Sequence, residues 1–194
     1  MDVVNRTFVG ILVPQPVAEQ IHQGLLPLKR KPGVENVRWS ATSEFMIQLA
    51  SLGELGPETL ATLRQILPSI TSRFPRMRLE VKGFGGAPNL IQPRFVHAEL
   101  AGDVQWLDQL AQAIDMGVAP YVPAWDMRGF RPTIPIGRLK TESEPQRVAL
   151  GRALKMTQIA EMGVIDADSV ALLISHADTT GIGYSVVERL PLGS

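Results

Sequence analysis

Three histidines, His22, His97 and His176, are the residues of this chain best suited to move a proton near neutral pH. Only His97 stands in a pattern that suggests chemistry. It lies two positions before Glu99 in the segment PRFVHAEL, and on an extended strand that spacing puts both side chains on one face. A carboxylate so placed could raise the imidazole pKa; a surface pair, or a histidine held by a hydrogen bond, would show the same spacing. His22 falls in a helical stretch and His176 near a turn, and both are expected to be solvated. Cysteine is absent, which removes disulfides, thiolate zinc sites and a cysteine nucleophile and fits a reducing compartment. Zinc needs three or four ligands at suitable spacing, and no such set can be assembled, so neither metal nor cofactor is expected.

Trp39 could stack a nucleobase or pack into the core beside its strand. Gly83 to Gly86 lacks the spacing and following helix of a phosphate-binding loop and reads as a turn. Thr42-Ser43-Glu44 and Thr179-Thr180 likewise suggest turn chemistry. With 19 basic and 19 acidic residues there is no global field to attract nucleic acid, so any such contact must come from a local basic surface.

The elements that must position these residues follow from periodicity. Phe8 to Val13 is a nearly continuous apolar run, a buried strand. From Pro16 the apolar positions Val17, Ile21 and Leu25 recur one helical turn apart, and Pro32-Gly33 closes the segment. Val37 to Trp39 and Phe45 to Leu52 read as extended. Pro57 opens a second helix with the stripe Leu60, Leu63, Leu67 and Ile70. Met77 to Val81 and Arg94 to Leu100 are strands flanking a turn-rich loop from Gly83 to Pro93, and Leu107, Leu110, Ala111 and Ile114 mark a third helix. Pro120 to Gly129 is irregular, Thr133 to Leu139 is extended, and a fourth helix is expected from about Pro145 to Met162. Val170 to Ser175 and Tyr184 to Val187 close the chain as a hairpin around Gly181 and Gly183. Strands that come in consecutive pairs predict an α+β fold with antiparallel pairing. No linker interrupts the 194 residues, so one domain over residues 1–194 is expected. The opening segment reads as a strand running into a helix, not a signal peptide, and no apolar run approaches the roughly 20 residues of a membrane span. The expected location is the cytoplasm.

Several of these segments, in this order, resemble the bacterial 2′-5′ RNA ligase-like family of the 2H phosphoesterases, whose members are RNA 2′,3′-cyclic phosphodiesterases. RTFVGILVP is similar to that family's first strand, VRW (Val37–Trp39) to the lead-in to its first motif, and FMIQLASLGEL (Phe45–Leu55) to the first motif strand. PRFVHAEL (Pro93–Leu100) is similar to the middle strand, FRPTIPIGR (Phe130–Arg138) to the second motif strand, and SVALLIS with GIGYSVVERLPL to the closing hairpin. The resemblance implies two lobes, with two antiparallel sheets around a central cleft and helices outside. It also implies basic residues around the motifs, at Arg38, Arg131 and Arg138, where guanidinium groups could hold a phosphate bidentately.

The family's chemistry rests on two His-x-Thr or His-x-Ser motifs facing across the cleft, one imidazole accepting a proton while the other donates one. Here the corresponding positions are Met46-Ile47-Gln48 and Thr133-Ile134-Pro135. A thioether carries no titratable proton, a threonine hydroxyl is a poor acid or base near neutrality, and Pro135 offers neither hydroxyl nor N–H. Losing one positioned acid or base typically costs ~10²–10⁴ in rate. The expected catalytic set is therefore none, with Met46, Gln48, Thr133 and Pro135 as degenerate motif positions and Arg38, Arg131, Arg138, Trp39, His97 and Glu99 as candidate binding residues. Three functions are expected in descending order: a silent cleft that binds nucleotides or RNA ends, a phosphodiesterase with altered residues acting on 2′,3′-cyclic phosphate or 2′-5′ linked RNA, and a module that binds protein. None involves a membrane.

Overall fold

A computed structural model describes residues 6–122, 130–140, 143–157, 161–177 and 182–193. Among the described residues nine strands form two sheets, and every strand pair within them is antiparallel. The first sheet has the order β3-β1-β8-β9 and the second β2-β6-β5-β4-β7. In chain order the strands are β1 (Arg6–Leu12), β2 (Val37–Trp39), β3 (Met46–Gly53), β4 (Met77–Ala87), β5 (Phe95–Gly102), β6 (Thr133–Leu139), β7 (Val164–Ala167), β8 (Ser169–Ala177) and β9 (Ile182–Pro191). The first sheet thus joins the two ends of the chain. The second is built from the middle, apart from β2, which hands the chain across to β3 through a 3-10 turn at Thr42–Glu44. The sheets border a central cleft, with helices outside.

The helices among the described residues are α1 (Gln15–Lys29), α2 (Pro57–Thr71), α3 (Val104–Val118) and α4 (Glu144–Lys155). Each buries the stripe its periodicity announces. In α3 the fully buried positions Leu107, Leu110, Ala111 and Ile114 recur three and four residues apart, so one face meets the sheet and the opposite face meets water. Pro16 and Pro57 sit in the first turns of α1 and α2, where a missing N–H costs nothing. One continuous core draws Val9, Ile11, Ile47 and Leu49 from the first sheet and Leu79, Val81, Val96, Ala98, Ile134 and Ile136 from the second. The strand alternation read from the sequence is therefore the alternation of burial.

Four expectations change. The fourth helix stops at Lys155, short of Met162. Met162 instead donates its N–H to the Val81 carbonyl, and Val81 donates to Gly163, so this segment is drawn to the sheet edge beside β7, a strand too short to announce itself. The closing hairpin is longer than expected, Ser169–Ala177 with Ile182–Pro191, because ladder pairing extends it through polar positions. Gly83 to Gly86 is not a turn but the end of β4, paired to β5 across a bulge between Val81 and Phe84. Gly83 has φ +132 there, a conformation that suits a residue without Cβ. His22 is half-buried on α1, whereas His176 is exposed. Thr179, Thr180 and most of Pro120 to Gly129 lie outside the described residues. Among the described residues no helix is long and apolar enough to cross a membrane.

Candidate functional site

The two motif strands belong to different sheets and come into contact: β3 in the first, β6 in the second. Each turns one face to the common core and leaves the other for the cleft. On β6, Ile134 and Ile136 are buried while Pro135 is exposed and Thr133 half-exposed. Strict alternation would next expose Gly137. Instead Gly137 is buried and Arg138 is exposed. The cause is a register shift beside Pro135, which has no N–H for the ladder; the irregularity rotates Arg138 back to the face of Pro135.

Registration across the second sheet then assembles a row. Arg38 on β2 stands opposite Arg138 on β6, and Arg138 opposite Phe95 on β5. Paired residues in an antiparallel ladder share a face. The Arg138 guanidinium carbon lies 5.5 Å from the Phe95 ring centre, and Phe95 is 44% exposed. One step along β5, His97 stands opposite Pro135, and the next outward residue, Glu99, stands opposite Thr133. Arg131 is exposed just before β6, where its carbonyl accepts a 2.8 Å hydrogen bond from the N–H of Thr133. Arg38, Arg138, His97, Glu99 and the second motif position are thus on one surface.

Burial lowers the pKa of His97, outweighing Glu99, which acts to raise it; Arg131 adds to the lowering. The expectation that the neighbouring carboxylate would raise the imidazole pKa is overturned: desolvation of the charged form is the larger effect. His97 is therefore a neutral donor and acceptor near neutral pH. Trp39 departs from its candidate role. It and Val37 pack over Gly137 on the core side of β2, with Lys29 Nζ 5.5 Å from the Trp39 ring, while Arg38 points the other way. The aromatic that shares the cleft face is Phe95. Its place two residues before His97 was readable from strand alternation, so period-2 spacing was the signal that could have found it.

The first sheet answers with a different surface. Met46 is only 3% exposed and forms a small apolar cluster with Ala171 and Leu173, backed by Phe8, Leu12 and Tyr184. Phe8 and Tyr184 meet edge to face at 6.0 Å. Burial, followed by the charge of Glu44, raises the Tyr184 pKa. Gly10 lets Met46 settle onto β1: a Cβ there would lie 2.7 Å from the Ile47 carbonyl and 3.2 Å from the Met46 sulfur. Gln48, opposite Gly10, is exposed. Among the described residues no group of three or more histidines and carboxylates is arranged to hold a metal.

No family model matches the sequence. Among curated proteins, the chain is 23% identical over 196 residues to the RNA 2′,3′-cyclic phosphodiesterase of Aquifex aeolicus, with 98% of each covered. It is 27% identical over 155 residues to the protein of the same name from Aeropyrum pernix, covering 77% of this chain and 83% of that one. Among solved structures, E. coli LigT in complex with 3′-AMP matches with a TM-score of 0.73 at 20% identity, covering 100% of both chains. The chain is thus similar to RNA 2′,3′-cyclic phosphodiesterases along nearly its whole length, and its two-sheet α+β fold is the fold of LigT.

Proposed function

We propose that this protein binds a nucleotide or an RNA end in the cleft between its sheets and does not turn over a phosphodiester. The observation that carries this reading is the row Arg38–Arg138–Phe95. It offers two permanent cations for phosphate and an exposed aromatic face for a base, none of which needs a proton to move. Support also comes from LigT, which has been solved with ATP and with 3′-AMP. The silent half of the reading rests on Met46 and Thr133, the residues found at the positions that the resemblance of their strands matches to the family's two histidines. Neither side chain can act as general acid or base near neutral pH.

A second reading has one specific observation in its favour. His97 stands opposite Pro135, one strand away from the second motif position, and a neutral imidazole there is a candidate base for a modified hydrolysis. Purified protein incubated with 2′,3′-cyclic nucleotide and with 2′-5′ linked dinucleotide separates the two. The proposed reading expects saturable, salt-sensitive binding with turnover at background. Hydrolysis that persists through repeated purification and disappears in His97→Ala would replace it with the second.

A further inference from the structure

We infer that His97 and Glu99, converging over Gly85, form a subsite for the free cis-diol of a ribose, so that the cleft selects nucleotides with unmodified 2′- and 3′-hydroxyls over 2′,3′-cyclic phosphates. This rests on the nucleotide-binding reading above and names the class of nucleotide. Gly85 lies on β4 directly opposite His97. A Cβ at Gly85 would come within 2.5 Å of both His97 Nε2 and Glu99 Oε1, so the two polar atoms occupy the space a side chain would fill. Any other residue at position 85 would push them apart. Yet they do not satisfy each other: among the described residues neither the imidazole nor the carboxylate makes a hydrogen bond or an ion pair.

The donors and acceptors match a diol. A carboxylate accepts from two adjacent hydroxyls at once, and a neutral imidazole offers one N–H and one lone pair. The burial that keeps His97 uncharged removes the cation a phosphate would seek at this point. Glu99 repels a phosphate outright, and Arg131, the charged neighbour that could offset it, is exposed and screened by solvent. The motif positions add no positive charge of their own, being Met46, Gln48, Thr133 and Pro135. Anion-binding capacity therefore sits at Arg38 and Arg138, and hydroxyl-binding capacity sits two residues further along β5. Two residues along a strand span about 7 Å, which suits a base stacked on Phe95 with its own ribose over Gly85.

Calorimetric titration of the full chain with adenosine 5′-monophosphate, its 2′-deoxy counterpart and adenosine 2′,3′-cyclic monophosphate tests this. The diol is expected to bind roughly tenfold tighter than either of the others, the scale of hydrogen bonds to a charged group. Glu99→Gln is expected to collapse that difference while leaving circular dichroism unchanged. Equal affinities for all three, or a preference for the cyclic phosphate, would overturn the diol subsite and leave the nucleotide-binding reading standing. No binding of any of them at low salt would remove both.

Discussion

The two faces that border the cleft differ in kind. On the first sheet Met46, Ala171 and Leu173 are buried and packed with Phe8, Leu12 and Tyr184, so this position serves packing. On the second sheet the outward residues are Arg38, Arg138, Phe95, His97, Glu99, Thr133 and Pro135, all of them exposed or half-exposed and five of them polar. Both strands turn alternate residues outward around their motif positions, but the residues at those outward positions differ in kind. An apolar side chain at a motif position gains stability by recruiting neighbours. A polar one with no partner gains nothing by closing, and the surface stays open to a ligand. In our reading the first sheet holds the fold of this region and the second does the binding.

This contrast can be broken most directly through Leu173, which is fully buried on the first sheet. Leu173→Ala is expected to cost about 2–5 kcal/mol in denaturant unfolding, the range for truncating a buried leucine. Phe95→Ala and Arg138→Ala, made on the second sheet's exposed face, are expected to stay within about 0.5 kcal/mol. Similar losses at all three sites would mean that the two faces are not different.

Reintroducing the histidines probes the same asymmetry. Met46→His places an imidazole where only 3% of the side chain's residue is exposed, and is expected to cost about 1–3 kcal/mol, the scale of burying a polar group without a partner. Thr133→His, on the half-exposed strand end, is expected to be nearly neutral by the same thermal or denaturant melt. If both are tolerated equally, the apolar cluster around Met46 is looser than its burial implies.

The binding side sharpens through Arg138. Arg138→Ala is expected to weaken nucleotide binding roughly tenfold and to flatten its salt dependence, because one phosphate contact is lost. An unchanged salt dependence in a titration series would take the phosphate away from this row.

The smallest expected effect lies in pH. The folded pKa of His97 is lowered from 6.5, so in the pH range just below that value the unfolded chain binds more protons than the folded one. Stability from this group is present above the unfolded pKa and lost as pH falls towards the folded one. His97→Gln should therefore lose less stability than the parent protein between neutral and mildly acidic pH. Parallel unfolding curves at each pH would show that His97 is not desolvated.

Local chemistry carried a good part of this protein. The residues at the two proposed motif positions, Met46-Ile47-Gln48 and Thr133-Ile134-Pro135, are read from the sequence alone, and so is most of the division of β3, β5 and β6 into core-facing and outward-facing positions, since side chains alternate along an extended strand. Helix stripes such as Leu107, Leu110, Ala111 and Ile114 needed no partner to be read. Other features depended on residues far away in sequence. Arg138 faces the cleft only because a register shift beside Pro135 turns the strand, and a shift is a property of the pair β5–β6. Trp39 was the stacking residue expected from sequence, and only sheet pairing put it over Gly137 and placed Phe95 beside Arg138 instead. The sign of the His97 pKa shift was set by how much water the surrounding sheet removes, which outweighs the carboxylate two residues away. Gly85 drew no attention in sequence beyond its place in a glycine cluster, because what it makes room for comes from β5, the neighbouring strand. Alternation and propensity are local and additive; register, burial and convergence are decided only when separate strands meet.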